Sequence, residues 1–206
     1  MLHYETIEPA TLELLRQIEA LPGFADMRLV GGTALALQLG HRKSVDLDFF
    51  GSMAFDSNEL EEALRPLGTV VPLKKSMNIN IYLVNGIKID VVNYSYAWLE
   101  EVVLVDGLRL ASQADIAAMK VNAVIGRGTR KDFIDIAYLL RSYSLSQILR
   151  FYFTKYPEAS VFLASKSLAY YADADKDPMP VMFSSESWEE IKAFISSKYD
   201  EYEQQY

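Results

Sequence analysis

"GGTALALQLGHRKSVDLDFF" (Gly31–Phe50) decides how this chain is read. Two glycines open a run of small and apolar residues, which ends with Asp46 and Asp48 set two residues apart between Val45, Leu47 and Phe49. Alternate residues of a strand share a face. A strand over "SVDLDFF" therefore puts both carboxylates on one side and turns Val45, Leu47 and Phe49 to the core. Two bare negative charges about 4 Å apart repel by about 4 kcal/mol at an effective dielectric of about 20. Such a pair needs positive charge beside it. A divalent cation is one source of that charge; the alternative is that each aspartate is separately solvated on an open sheet face.

Outward from this stretch, the patterning alternates between helices and strands. Glu8 to Leu21 has helical spacing (Leu12, Leu15, Ile18, Leu21) and stops at Pro22-Gly23. "MRLV" is a short strand running into Gly31-Gly32, and "TALALQL" a short buried helix. "DSNELEEALRPLG" begins at a cap, Asp56 or Ser57, and ends at Pro66 and Gly68. "TVVPLKK", "NINIYLVN" and "IKIDVVNY" are strands, the last two joined by Asn85-Gly86, and "VVLV" and "LRLA" form a further hairpin at Asp106-Gly107. After Ala111 the texture becomes helical, with Ser112 and Ser187 as caps. The fold class predicted is α+β: a mixed sheet with flanking helices over 1–111, then a helical part over 112–206.

Composition narrows the chemistry. Of 206 residues half are hydrophobic, enough for one large domain or two smaller ones. There is no cysteine and there are only two histidines, His3 and His41. Thiolate zinc sites, disulfides and histidine-rich metal sites are thereby excluded, and a bound metal must be held by carboxylates, which suits magnesium, manganese or calcium. The first residues lack a basic segment followed by an apolar run, and no stretch of about 18 apolar residues follows, so a soluble, cytoplasmic protein without a membrane span is expected. The net charge of −8 argues against a broad basic face for duplex DNA but leaves room for a local basic pocket.

Three groups of residues carry the candidate chemistry. Gly31 and Gly32, with the helix that starts near Thr33, can bring backbone N–H groups and a positive helix end to a phosphate, or can simply make a tight turn. Asp90, in "KID" (Lys88–Asp90), is a third carboxylate in an apolar strand. Were its strand beside "DLDFF", Asp46, Asp48 and Asp90 would converge to ligate divalent cations. Lys120 and Arg127 share a face of one helix, and Asp132 and Asp135 share a face of the next. Lys120 can reach a triphosphate as a point charge, or it can snorkel, with Lys131–Asp135 as an ordinary ion pair. Arg42 is placed beside the carboxylates and Ser44 shares their strand face, whereas His41 reads as a solvated loop residue. The tyrosines Tyr138, Tyr143, Tyr152, Tyr156, Tyr170 and Tyr171 suit base stacking or helix packing. The acidic end "YDEYEQQY" reads as a solvated helix terminus.

The blocks 31–50, 88–92 and 115–140, taken in order, resemble the AbiEii/AbiGii toxin family within the DNA polymerase beta-like nucleotidyltransferases. The resemblance implies transfer of a nucleoside monophosphate from an NTP to an acceptor hydroxyl, with Mg²⁺ or Mn²⁺. It also implies the toxin of a toxin–antitoxin or phage-defence pair, with a cognate antitoxin and with tRNA or other RNA as acceptor. Carried onto this chain, Asp46, Asp48 and Asp90 match the metal and catalytic positions. Gly31, Gly32 and Ser44 match the phosphate side, Thr33 and Arg42 lying beside them. Lys120, Asp132 and Asp135 match the later helical block, with Lys120 and Asp135 expected in catalysis. A small-molecule acceptor such as an antibiotic, and a non-catalytic binding module on the same scaffold, are the alternatives.

Overall fold

Capping and turn chemistry set the boundaries of the elements. The computed structural model describes residues 1–53 and 55–204. α1 (Pro9–Glu19) starts on a proline whose missing N–H costs nothing at that position. β1 (Met27–Val30) runs directly into α2 (Gly31–Leu39), followed by β2 (Leu47–Gly51). α3 (Ser57–Leu64) is held by a capping box in which Asp56 accepts from Asn58 and Glu59 while Glu59 reaches back to the Asp56 N–H. β3 (Val70–Lys74), β4 (Ile79–Val84) and β5 (Ile87–Asn93) follow, then β6 (Val103–Val105) and β7 (Leu108–Leu110). Both hairpin turns have positive φ at their two central residues, 52° and 81° at Asn85-Gly86 and 53° and 81° at Asp106-Gly107. This is the type I′ geometry that matches the twist of paired strands.

Among the described residues seven strands form one mixed sheet in the order β3-β4-β5-β2-β1-β7-β6. β2 is antiparallel to β1 but parallel to β5. Leu47, Phe49, Ile89 and Val91 are fully buried on one face, where Phe24 meets Phe49 edge-on at 5.3 Å. Asp48, Phe50, Asp90 and Val92 are half-buried on the other. The mixed sheet with flanking helices is the predicted class, though β2 begins three residues later than predicted. The Ser44 N–H bonds to the Thr6 carbonyl at 2.9 Å and Thr33 Oγ1 donates to the Asp46 carbonyl, so residues 44–46 answer to the loop and α2 rather than to the sheet. Val45, expected in the core, is consequently 62% exposed.

The chain divides into two units, Met1–Tyr96 with Glu101–Ala111, and Ala97–Glu100 with Ser112–Tyr206. The second contains α4 (Gln113–Gly126), α5 (Arg130–Leu139), α6 (Leu145–Lys155), α7 (Val161–Leu168) and α8 (Trp188–Glu203), with α4 packed against α5, α6 and α7. Ser144 and Ser187 each head a capping box, for α6 and α8. Segment 97–100 goes with this unit because Asp115 accepts the Leu99 and Glu100 N–H groups at 2.9 and 3.3 Å. Lys155, which pairs with Asp115 at 2.7 Å, donates to the Ala97 carbonyl at 2.9 Å. Tyr152 is buried and Tyr170 60% exposed, so the tyrosines divide between packing and surface. The acidic residues Asp200, Glu201 and Glu203 are exposed on the last turns of α8, and the final two residues of "YDEYEQQY" lie outside the described residues.

One buried acid in the first unit gives a pH signature. The Glu19 carboxylate is buried at the end of α1, where Oε2 accepts the Arg109 N–H at 2.8 Å and Oε1 has no hydrogen-bond partner. Burial pushes its pKa up to about 7, against the smaller pull of Arg109. A carboxyl whose folded value is raised contributes stability that is complete below its unfolded value and is lost as pH rises through the folded one. We expect the wild type to lose about 3 kcal/mol relative to Glu19→Gln between roughly pH 4.5 and 8, at about 1.4 kcal/mol per unit. Denaturant unfolding of both proteins across that window measures it; parallel curves would show that Glu19 ionises normally.

Candidate active site

The register of β2 on β5 builds the site. Asp48 pairs with Asp90, Leu47 with Ile89 and Phe49 with Val91, in parallel. Adjacent strands lie about 4.8 Å apart and register partners share a face. Asp48 and Asp90, which are 42 positions apart in sequence, are thus neighbours on the half-open face. Asp46 lies just before β2, held through its carbonyl by Thr33, whose hydroxyl is also 2.9 Å from Ser44 Oγ.

The glycine pair lies against these residues. Gly31 has φ of 69°, a left-handed conformation that L side chains rarely adopt, and a Cβ there would collide with Asp48 Oδ2. A Cβ on Gly32 would collide with Arg42 Nη2 and crowd Ser44 Oγ at 3.3 Å. Arg42 is 4% exposed and donates to the Lys43 carbonyl at 3.0 Å. The glycines are therefore what lets a carboxylate and a guanidinium close over the start of α2. His41, read as a loop residue in solvent, is 2% exposed instead. The short 40–46 connection folds inward, so polarity and loop position misled the reading.

The site face already carries positive charge. Lys88 Nζ stands 2.6 Å from Asp90 Oδ1 as an ion pair, yet that buried oxygen accepts no hydrogen bond. Among the described residues no three acidic or imidazole side chains are gathered as a ligand set. The donor chemistry nevertheless suits a hard divalent ion: carboxylate oxygens from neighbouring strands, with a buried Asp90 oxygen whose lone pairs are poorly met.

Lys120 and Asp135 meet in a different setting, inside the helical unit. Lys120 is 4% exposed, with Nζ 3.0 Å from Asp132 Oδ1 and 2.5 Å from Asp135 Oδ2. Arg127 adds a two-pronged contact to Asp132, at 2.8 and 3.0 Å, and Thr129 Oγ1 donates to it at 2.5 Å. Burial alone would raise the Asp132 pKa, but Arg127, Lys120 and Thr129 outweigh it and hold the carboxyl well below its ordinary range. The shared faces read from spacing are thus real, whereas the Lys131–Asp135 surface pair is replaced by this buried one. The Asp115–Lys155 pair, with both side chains fully buried and Lys155 over the Trp98 ring at 4.6 Å, escaped sequence reading altogether. Its partners are 40 residues apart, and nothing local links them.

A strand, a glycine turn into a helix, and carboxylates on two adjacent strands are the arrangement that the nucleotidyltransferase resemblance implies, and comparison with known proteins gives the class. Residues 13–201 match the family described as "Nucleotidyl transferase AbiEii toxin, Type IV TA system", and the chain belongs to that family. It is accordingly an NTP-using nucleotidyltransferase. An uncharacterized protein of Aquifex aeolicus, aq_aa25, is 34% identical over 196 residues, 92% of this chain and 94% of that one. The nucleotidyltransferase toxin MenT4 of Mycobacterium tuberculosis superposes with a TM-score of 0.58 at 15% identity, covering 92% of this chain and 80% of that one. JHP933 of Helicobacter pylori gives 0.56 at 17% identity, covering 95% and 91%. No helix among the described residues is long and apolar enough to cross a membrane.

Proposed function

We propose that this nucleotidyltransferase moves a nucleoside monophosphate from an NTP to a hydroxyl of tRNA or another RNA, using Mg²⁺ or Mn²⁺, as the toxin of a toxin–antitoxin or phage-defence pair. One observation supports the chemical part: the register that makes Asp48 and Asp90 neighbours, with Asp46 two residues upstream in the segment that enters β2. The family description and the likeness to the nucleotidyltransferase toxin MenT4 support the toxin part.

In this reading the acceptor oxygen attacks the α-phosphorus, the bond from that phosphorus to the bridging oxygen breaks, and pyrophosphate leaves. Asp46 and Asp48 would hold the cation on the triphosphate; Asp90 would join them as a ligand or act as the base for the acceptor hydroxyl. The divalent ion supplies charge neutralisation on the phosphates. Gly31, Gly32 and Thr33 offer backbone N–H groups at the start of α2, Ser44 a hydroxyl, and Arg42 a fixed charge beside them. Lys120 and Asp135 act one step removed. Among Lys120, Arg127, Asp132 and Asp135 two positive and two negative charges cancel, so we assign this cluster to bracing α4 against α5.

The test is incubation with labelled NTPs, Mg²⁺ or Mn²⁺, and total RNA. Metal-dependent label on RNA is expected, with tRNA foremost. Label on small cationic acceptors but never on RNA would transfer the reading to a small-molecule enzyme. Absence of label on either, together with no stabilisation by NTP and metal, would favour a binding module.

A further inference from the structure

We propose that Lys88 is the built-in counter-ion of the carboxylate site: it neutralises Asp90 while no metal is present and has to swing away for a divalent cation to bind. This rests on the metal-dependent reading above. Lys88 and Asp90 are two residues apart on β5 and so share its half-open face. Asp90 is the register partner of Asp48, so a cation on Lys88 lies on the face that carries both carboxylates. Its Nζ is 2.6 Å from Asp90 Oδ1.

Two features distinguish this contact from a permanent ion pair. The Asp90 oxygen is buried but accepts no hydrogen bond, so the lysine screens charge without meeting the lone pairs. The lysine side chain is 38% exposed on a flexible four-carbon stem, and Asp90 is 21% exposed, so the ammonium can leave into water without unpacking anything. The buried pair Lys155–Asp115 contrasts on both counts: its side chains are fully buried, and its lysine donates proper hydrogen bonds to Asp115 and to the Ala97 carbonyl. A like charge held beside a metal site weakens binding of the ion. Lys88 therefore sets how much metal the enzyme needs, while keeping the carboxylates from repelling one another in its absence.

The experiment is Mn²⁺ binding to the full chain by titration calorimetry, without nucleotide, for wild type, Lys88→Met and Lys88→Arg. Lys88→Met keeps length and removes charge; it should bind Mn²⁺ about fivefold tighter or more, the order expected on losing a partly exposed charge contact. Its melting temperature without metal should fall, and the rise on adding Mn²⁺ should exceed the wild-type rise. Lys88→Arg should keep the wild-type affinity. Wild-type binding with Lys88→Met unchanged or weaker overturns the role of Lys88 and leaves the metal site standing. No Mn²⁺ binding by wild type or Lys88→Met overturns the metal reading and this proposal with it.

Discussion

Asp48→Asn should abolish nucleotidyl transfer, by about a thousandfold or more, while leaving the fold intact. The expected size follows from what the residue does in the proposed reaction. Electrostatic stabilisation of a phosphoryl group in flight is worth several kcal/mol, at about 1.4 kcal/mol per factor of ten. The amide keeps the volume and one carbonyl oxygen but gives up the charge that would retain a divalent ion. The fold should survive, because Asp48 is half-buried at a sheet face whose hydrophobic residues, Leu47 and Phe49, point the other way. The measurement is transfer of labelled NMP at saturating Mg²⁺ alongside a melting curve. A variant that transfers at the wild-type rate, melting normally, would remove Asp48 from the mechanism and with it the site built on the β2–β5 register.

That register marks the limit of what the sequence discloses. Features with local causes were legible: Asn85-Gly86 and Asp106-Gly107 as hairpins, Ser187 with Glu190 as a capping box, and the glycines of Gly31-Gly32 at a strand-to-helix turn. Each depends on backbone sterics or on hydrogen bonds within a few residues. Adjacency of "DLDFF" and "KID" had to be supposed, because β3 and β4 intervene and a parallel partner is chosen by tertiary packing. The alternation rule was right within β2 and failed at Val45, where hydrogen bonds from Ser44 to Thr6 and from Thr33 to Asp46 override the sheet. His41 failed for a related reason: a polar residue in a connection is usually outside, and only the inward path of 40–46 buries it. Lys88 was seen merely as a flank of Asp90, since its relation to the carboxylates appears only once β2 lies alongside β5. The helical cluster was half legible, because spacing put Lys120 with Arg127 and Asp132 with Asp135, but not the two faces together.

Asp132→Ala should lower stability by about 3–5 kcal/mol, the range for breaking a buried ion pair by removing one partner. The carboxylate has no exposure and is held by Lys120, Arg127 and Thr129. Its loss takes one carboxylate from Lys120, itself 4% exposed, leaving Asp135 beside it, and frees the anchor that ties the end of α4 to the start of α5. Asp132→Asn, which retains the shape, separates charge from packing, and pH gives an independent check. Since the folded Asp132 pKa is lowered, its contribution is present above the unfolded value of about 3.9 and is lost as pH falls through the folded one. The wild type should therefore lose its advantage over Asp132→Asn on going from roughly pH 5 to below pH 3, and keep it constant from pH 5 to 7. Unfolding midpoints across that range, with transfer activity of the folded fraction at pH 7, decide between the two roles open to the cluster. A bracing role predicts lowered stability with near-normal turnover per folded molecule for Asp132→Asn. Normal stability with turnover lost would instead put the cluster, Lys120 and Asp135 included, in the chemical step.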